Sequence, residues 1–137
     1  MPKKIRKDKC DAFISLYQCP TILDSSVSHV MVVHDLIPRI FPEYQNNARK
    51  KYYWDLTEDA IRNADKVIAV SKRTEKDLIK HLGIKAKDVT TAHIDVDSIY
   101  KKEVSAKRSS SIMKKYGLTQ GYFYYGGGLD IRKNVEN

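Results

Sequence analysis

The chain has 137 residues, a hydrophobic fraction of 42% and a charged fraction of 31%, proportions of a globular chain with room for one real core and unlike those of a disordered one. No apolar run approaches the roughly 20 residues a membrane-spanning helix requires, and the basic N-terminus lacks the apolar stretch and cleavage site of a secretory signal. A formal net charge of +8 raises nucleic acid, anionic membranes and phosphorylated ligands as partners.

The placement of the cations narrows that choice. They are dispersed: Lys3 to Lys9 at the start, Arg49 to Lys51, Lys72 to Lys80, and Lys101 to Arg108. No zinc-finger, basic-zipper or aromatic RNA-binding signature accompanies them, so nucleic acid is not expected as a partner. A solvated basic surface accounts for much of the charge. Cys10 and Cys19 form no metal-ligand spacing and read as free thiols in a reducing cytoplasm.

In chain order, residues 1–9 form a basic lead-in. Residues 11–17 read as a short strand ended by Pro20. Residues 28–33, Ser-His-Val-Met-Val-Val, are β-branched and nearly continuously apolar, the pattern of a parallel strand buried on both faces. His34-Asp35 ends it, and a loop with Pro38 and Pro42 follows. Ala48, Tyr52, Leu56, Ala60 and Ala64 then recur every four residues, with Tyr53 and Ile61 beside them, which predicts a helix capped by Asn46 or Asn47. Val67 to Val70 predicts a second buried strand. Ser71 would cap a helix carrying Leu78, Ile79 and Leu82 and stopped by Gly83. Residues 88–92 make a weaker strand.

Alternating strands and helices at this spacing predict an α/β fold with a right-handed parallel sheet. Residues 101–111 are polar and serine-rich and read as a linker, followed by a short helical turn to Tyr116-Gly117. Tyr122 to Tyr125 reads as an aromatic strand that stops at Gly126, Gly127 and Gly128, with Arg132 and Lys133 after it. The expected organisation is a partial Rossmann-like domain over residues 1–100, a hinge over 101–116, and the opening of a second such domain over 117–137. A chain organised in this way is expected to be a piece of a larger protein.

Three places could carry chemistry. Glycines after a strand, with Arg132 and Lys133 at a following helix start, would cradle a phosphate: side-chain-free amides approach it closely, while Arg offers a planar fork and Lys a mobile charge. The spacing matches neither a P-loop nor a dinucleotide fingerprint, and a solvated turn is the plainer alternative. His34-Asp35 lies at the C-terminal end of a parallel strand, the edge where open α/β sheets bind ligands. His34 could donate to a substrate hydroxyl or carry a proton, or simply be satisfied by its loop. Ser71 lacks the flanking glycines of a nucleophile elbow and is expected to cap its helix, with that helix start facing the same cleft. His29, His81 and His93 show no metal-ligand spacing.

Together these segments resemble group-one, retaining GT-B glycosyltransferases. Val32-Val33-His34-Asp35-Leu36-Ile37-Pro38, followed by Phe41-Pro42-Glu43-Tyr44, is similar to a stretch of that family's acceptor-side domain. Ala64-Asp65-Lys66-Val67-Ile68-Ala69-Val70-Ser71 resembles its strand-to-helix junction. Val96-Asp97 falls where members read Asn-Gly-Val-Asp, and Tyr124 through Asn134 resembles the first strand and loop of the donor domain. The resemblance runs from about Asp11 to the last residue.

It implies transfer of a sugar from a nucleotide-sugar to a saccharide or lipid-linked acceptor, including mannosyl transfer in surface-polysaccharide assembly. Arg132 and Lys133 would hold the donor diphosphate, Gly127 would let the backbone approach it, and His34 would reach the donor sugar. Neither metal nor cofactor would be required. A cytoplasmic location follows, with peripheral contact at the inner face of the membrane where the acceptor is lipid-linked. The family's pair of donor-side glutamates separated by seven residues is absent, because no Glu here has a Glu eight positions later. Gly128 stands where many relatives carry Arg, and Ile94-Asp95 replaces Asn-Gly. The chain by itself is therefore expected to be inactive, and to self-associate through uncovered strands. The competing reading is a non-catalytic phosphate- or partner-binding α/β module.

Overall fold

The computed structural model describes residues 2–128 and 133–135. The chain falls into two compact units, Met1–Asp95 and Val96–Asn137.

The first unit is built on a four-stranded parallel sheet in the order β1-β2-β3-β4, comprising Ala12–Ser15, Ser28–Val33, Lys66–Ala69 and Val89–Thr91. The register sets Ser15, Met31, Val67 and Val89 side by side. Alternation along each strand then decides burial. Met31, Val33, Val67 and Ala69 are almost completely buried, and pack with Leu36, Trp54, Ala60, Ile61, Leu78 and Leu82. The intervening residues Val30, Val32 and Ile68 are only half-buried, and Ile14 is exposed. The expectation that residues 28–33 are buried on both faces is thereby corrected. One face of the sheet carries the core, and among the described residues the other is incompletely covered.

Asp65 fixes the entry to β3. Its carboxylate accepts from the His29 backbone N–H at 2.7 Å, and its own N–H donates to the His29 carbonyl at 2.9 Å. This two-way contact clamps the start of β3 beside β2.

A short helix α1 (Pro2–Lys7) precedes the sheet, and α2 (Ile37–Ile40) and a 3-10 turn (Pro42–Gln45) follow β2. Helix α3 (Ala48–Arg62) begins where Asn47 caps it, its side chain accepting from the Lys50 N–H at 2.9 Å. The helix is as expected, and so is the burial of Ala60 and Ile61, but the rest of its buried face is not. Trp54, Thr57, Glu58 and Ile61 point inward, while Tyr52, Tyr53 and Leu56 are exposed. The aliphatic and tyrosine stripe misled because the inward stripe includes two polar residues, each internally satisfied. Thr57 donates to the Tyr53 carbonyl at 2.9 Å, and Glu58 accepts from Trp54 Nε1 at 2.8 Å and from Arg62 at 3.0 Å. A buried polar group with its partners in place costs little.

Helix α4 (Lys72–Leu82) follows the expected rules at both ends. Ser71 caps it, and Gly83 adopts φ +69°, the left-handed conformation that ends a helix. The Ile84 N–H then reaches back to the Leu78 carbonyl. Leu78 and Leu82 are buried, whereas Ile79 lies toward solvent.

In the second unit, helix α5 (Ala106–Tyr116) occupies most of the segment expected to be a linker. Its serines and basic residues suggested an irregular chain, yet Ser105 accepts from the Arg108 N–H and Gly117 closes the helix at φ +63°. The residues between are compatible with helix, so the two end signals prevail. Tyr122 to Tyr125 do not form the expected strand, and Phe123 and Tyr124 are almost fully exposed. A strand requires a hydrogen-bonded neighbour, and among the described residues none pairs with this run.

Candidate functional site

The first unit concentrates its polar chemistry where β2 ends. Gln18, almost wholly buried, receives the His34 backbone N–H on Oε1 at 3.1 Å and donates through Nε2 to the Asp35 carbonyl at 3.2 Å. One amide thus satisfies consecutive main-chain groups of the loop. Nothing in the spacing of the sequence singled it out. A glutamine in a polar stretch between two strands is the only local signal.

His34 is held from both sides. Its ring nitrogen Nε2 lies 3.1 Å from the Leu16 carbonyl, and its ring stacks at a tilt against Tyr17 with centroids 4.8 Å apart. A carbonyl only accepts, so Nε2 carries a proton in this contact and Nδ1 is the nitrogen left for other chemistry. The His34 carbonyl in turn accepts from Thr74 Oγ1 at 3.0 Å. Since the Thr74 hydroxyl proton is spent there, the Ser71 hydroxyl must donate to Thr74 Oγ1, 3.0 Å away, while accepting from the Thr74 N–H at 3.1 Å. Ser71 is therefore the helix cap expected from its neighbours. Through Thr74 it also ties the start of α4 to the loop carrying His34.

Beside this loop lies a cavity of about 570 Å³, between the ends of β1 and β2 and the start of α3. That volume is in the range of small-molecule sites. Tyr17, Tyr44, Tyr53 and Trp54 supply aromatic wall, and Gln18, Asp35, Gln45 and Asn47 supply polar groups. Most of the latter are already engaged. Asp35 Oδ1 accepts from the Ile37 N–H at 2.9 Å, Gln45 donates to the Pro38 carbonyl, and Asn47 caps α3. Arg49 and Lys50 also line the cavity.

A second buried cluster lies near the opposite end of β2. Ser15 Oγ and His29 Nε2 are 3.0 Å apart, and both residues are buried. Burial holds the His29 pKa below its usual 6.5, with the Asp65 carboxylate opposing that shift. His29 is thereby kept neutral inside the sheet, bonded to Ser15 and packed on Phe13 with ring centroids 5.6 Å apart. It is a satisfied core histidine.

The residues expected to bind a donor diphosphate belong to the second unit. Gly126, Gly127 and Gly128 all have ordinary φ values. A Cβ at Gly127 would meet the exposed Tyr125 ring, which would have to move to make room. The Tyr125 hydroxyl donates to the Gly128 carbonyl at 2.8 Å. Lys133 is exposed, and Arg132 lies outside the described residues. Among the described residues no group of three or more His, Cys, Asp or Glu is arranged to hold a metal ion, and no helix is long and apolar enough to cross a membrane.

Residues 3–97, well over half of the chain and including the whole sheet, match the family model described as Glycosyltransferase Family 4. Among curated proteins none matches the chain.

Proposed function

Since the chain belongs to Glycosyltransferase Family 4, we propose that it supplies the acceptor side of a hexosyltransferase that moves a sugar from a nucleotide-sugar to a saccharide or lipid-linked acceptor. The observation that carries this reading is the cavity lined by Asp35, the residue after His34, and by Tyr17, on which the His34 ring stacks, at the sheet edge where open α/β folds place their ligands. The acceptor occupies that cavity. His34, its ring fixed by Leu16 and Tyr17, presents Nδ1 to the donor sugar.

Gly127, Arg132 and Lys133 hold the donor diphosphate, Gly127 by close backbone approach and the cations by charge. The rate then comes from positioning both substrates and stabilising the negative charge that develops on the departing nucleotide diphosphate. Neither metal nor cofactor is needed for those roles. No Glu of this chain has a Glu eight positions later, so this polypeptide alone turns over no nucleotide-sugar. The setting is cytoplasmic, at the inner face of the membrane when the acceptor is a lipid, and mannosyl transfer in surface-polysaccharide assembly is the specific form of the reaction.

The test is release of nucleoside diphosphate from a panel of nucleotide-sugars. It is expected from a protein that joins this chain to a donor domain bearing the glutamate pair, and not from the chain alone. His34→Ala in the joined protein should reduce kcat by roughly a hundredfold, the lower end of what one positioned acid-base side chain contributes at a reacting centre. Unaltered turnover in that variant would remove His34 from the chemistry.

A further inference from the structure

We infer that the cavity between the ends of β1 and β2 and the start of α3 selects an acceptor that carries phosphate. This rests on the acceptor-side reading above and names its substrate class. The cavity is lined by Tyr17, Tyr44, Tyr53 and Trp54, and the exposed rings of Tyr17 and Tyr53 are flat apolar surfaces against which the ring of a sugar can stack. A neutral saccharide would need little more than those faces and a few hydroxyl partners. Two cations, Arg49 and Lys50, also line this space.

The pairing of neighbouring cations makes that pair informative. On the same helix, Lys51 stands 2.8 Å from Asp55, and Arg62 stands 3.0 Å from Glu58 and 3.3 Å from Asp59. Among the described residues Arg49 and Lys50 have no ion pair and no side-chain hydrogen bond. The one carboxylate lining the cavity, Asp35, has Oδ1 turned to the Ile37 N–H. The cavity therefore keeps an excess of positive charge beside an aromatic wall. A planar guanidinium fork next to a mobile ammonium suits the several oxygens and near-double charge of a phosphate monoester or a diphosphate. Sugar on the aromatic faces and phosphate on Arg49 and Lys50 use both features at once. The phosphate can belong to a free sugar phosphate or to a lipid carrier, since the chemistry presented to the cavity is the same.

The chain's one tryptophan, Trp54, lines this cavity, so its fluorescence reports occupancy directly. The full chain is titrated with glucose 1-phosphate, with phosphatidylcholine vesicles containing a polyprenyl-phosphate-linked glucose, with neutral methyl glucoside, and with inorganic phosphate. The expected result is a saturable change with glucose 1-phosphate, with the vesicle-borne sugar, or with both, weakening as salt is raised. The responding arm identifies the source. Methyl glucoside and inorganic phosphate should each bind at least roughly tenfold more weakly, because each uses half of the site. The double variant Arg49→Gln/Lys50→Gln should weaken the responding probe by roughly tenfold or more, at unchanged urea midpoint because both side chains are exposed. Methyl glucoside binding as tightly as glucose 1-phosphate, wild-type affinity in the double variant, or no response from either phosphorylated sugar would each overturn the inference. Sugar transfer is not needed for this readout. Charge-dependent binding without transfer in the joined protein would retain the phosphate site and discard the transferase reading. Transfer only to neutral acceptors would do the reverse.

Discussion

The two units of this chain are held together by different means. Met1–Asp95 has a sheet, two substantial helices and a shared core in which Met31, Val33, Leu36, Ile61 and Leu78 lose nearly all contact with solvent. Val96–Asn137 contains a helix with well-formed caps at both ends, yet among its described residues none is buried. Capping signals alone delimit a helix. They do not bury it, and burial is where most of the stability of a helix in a protein originates. The polar contacts follow the same division. In the first unit Gln18, Thr74 and Asp65 reach across 16 to 40 residues of sequence to hold the β2 edge and its loop. In the second unit the Tyr125 hydroxyl, by contrast, bonds the Gly128 carbonyl only three residues away.

That contrast is breakable. Leu78→Ala opens a cavity in a fully buried site and should lower stability by about 3 kcal/mol, read as a shift in the urea midpoint. Met113→Ala in α5 should change the same midpoint by less than about 0.5 kcal/mol, since it removes little buried surface. Comparable losses would show that the second unit has a packed core of its own.

The reach of Gln18 gives the next largest effect. Gln18→Ala strands the His34 N–H and the Asp35 carbonyl together and should cost about 2 kcal/mol. Amide exchange at His34 should accelerate with it. The second-unit counterpart, Tyr125→Phe, removes one exposed bond and should stay within about 0.5 kcal/mol. An unchanged exchange rate at His34 in Gln18→Ala would mean that Thr74 and Leu16 suffice to hold the loop.

The smallest effect is on pH dependence, and it too belongs to the first unit. The folded His29 has a pKa below 6.5 because burial disfavours its charged form. Below 6.5 the unfolded chain therefore binds more protons than the folded one. Stability from this group is complete above pH 6.5 and declines as pH falls from there toward the folded pKa. The carboxylates of Asp24, Glu75 and Asp88, whose pKa values are lowered by their hydrogen bonds to Ser26, Lys72 and Lys66 respectively, act at more acidic pH. Urea midpoints compared between about pH 7.5 and 5.5 should fall toward the acid side, and His29→Gln should flatten that slope. A slope unaltered by the substitution would assign the dependence to another group.

The candidate site was legible to differing depths. His34 and Asp35 were readable because an apolar β-branched run ending in polar residues marks the end of a buried strand, and that strand spans Ser28–Val33 as expected. Ser71 and Gly83 were readable because helix ends are set by side chains within a few residues. Gln18 was not, since its value depends on β1 lying beside β2. The cavity beside α3 was not either. It depends on which face of the helix turns inward, and the aliphatic stripe pointed to Tyr52 and Leu56.

The sequence by itself determined the parallel α/β class, the positions of β2, β3, α3 and α4, and the caps that delimit the two helices. All of these follow from short-range periodicity and capping chemistry, which act over a few residues. Tertiary structure alone decided that one sheet face carries the core, that Trp54, Thr57 and Glu58 join the buried stripe of α3, and that the aromatic run at 122–125 pairs with no strand among the described residues. It also brought Arg49, Lys50 and four aromatic rings around one cavity. Those outcomes depend on partners distant in the chain, whose hydrogen bonds and apolar surfaces exist for a residue only once the sheet has formed.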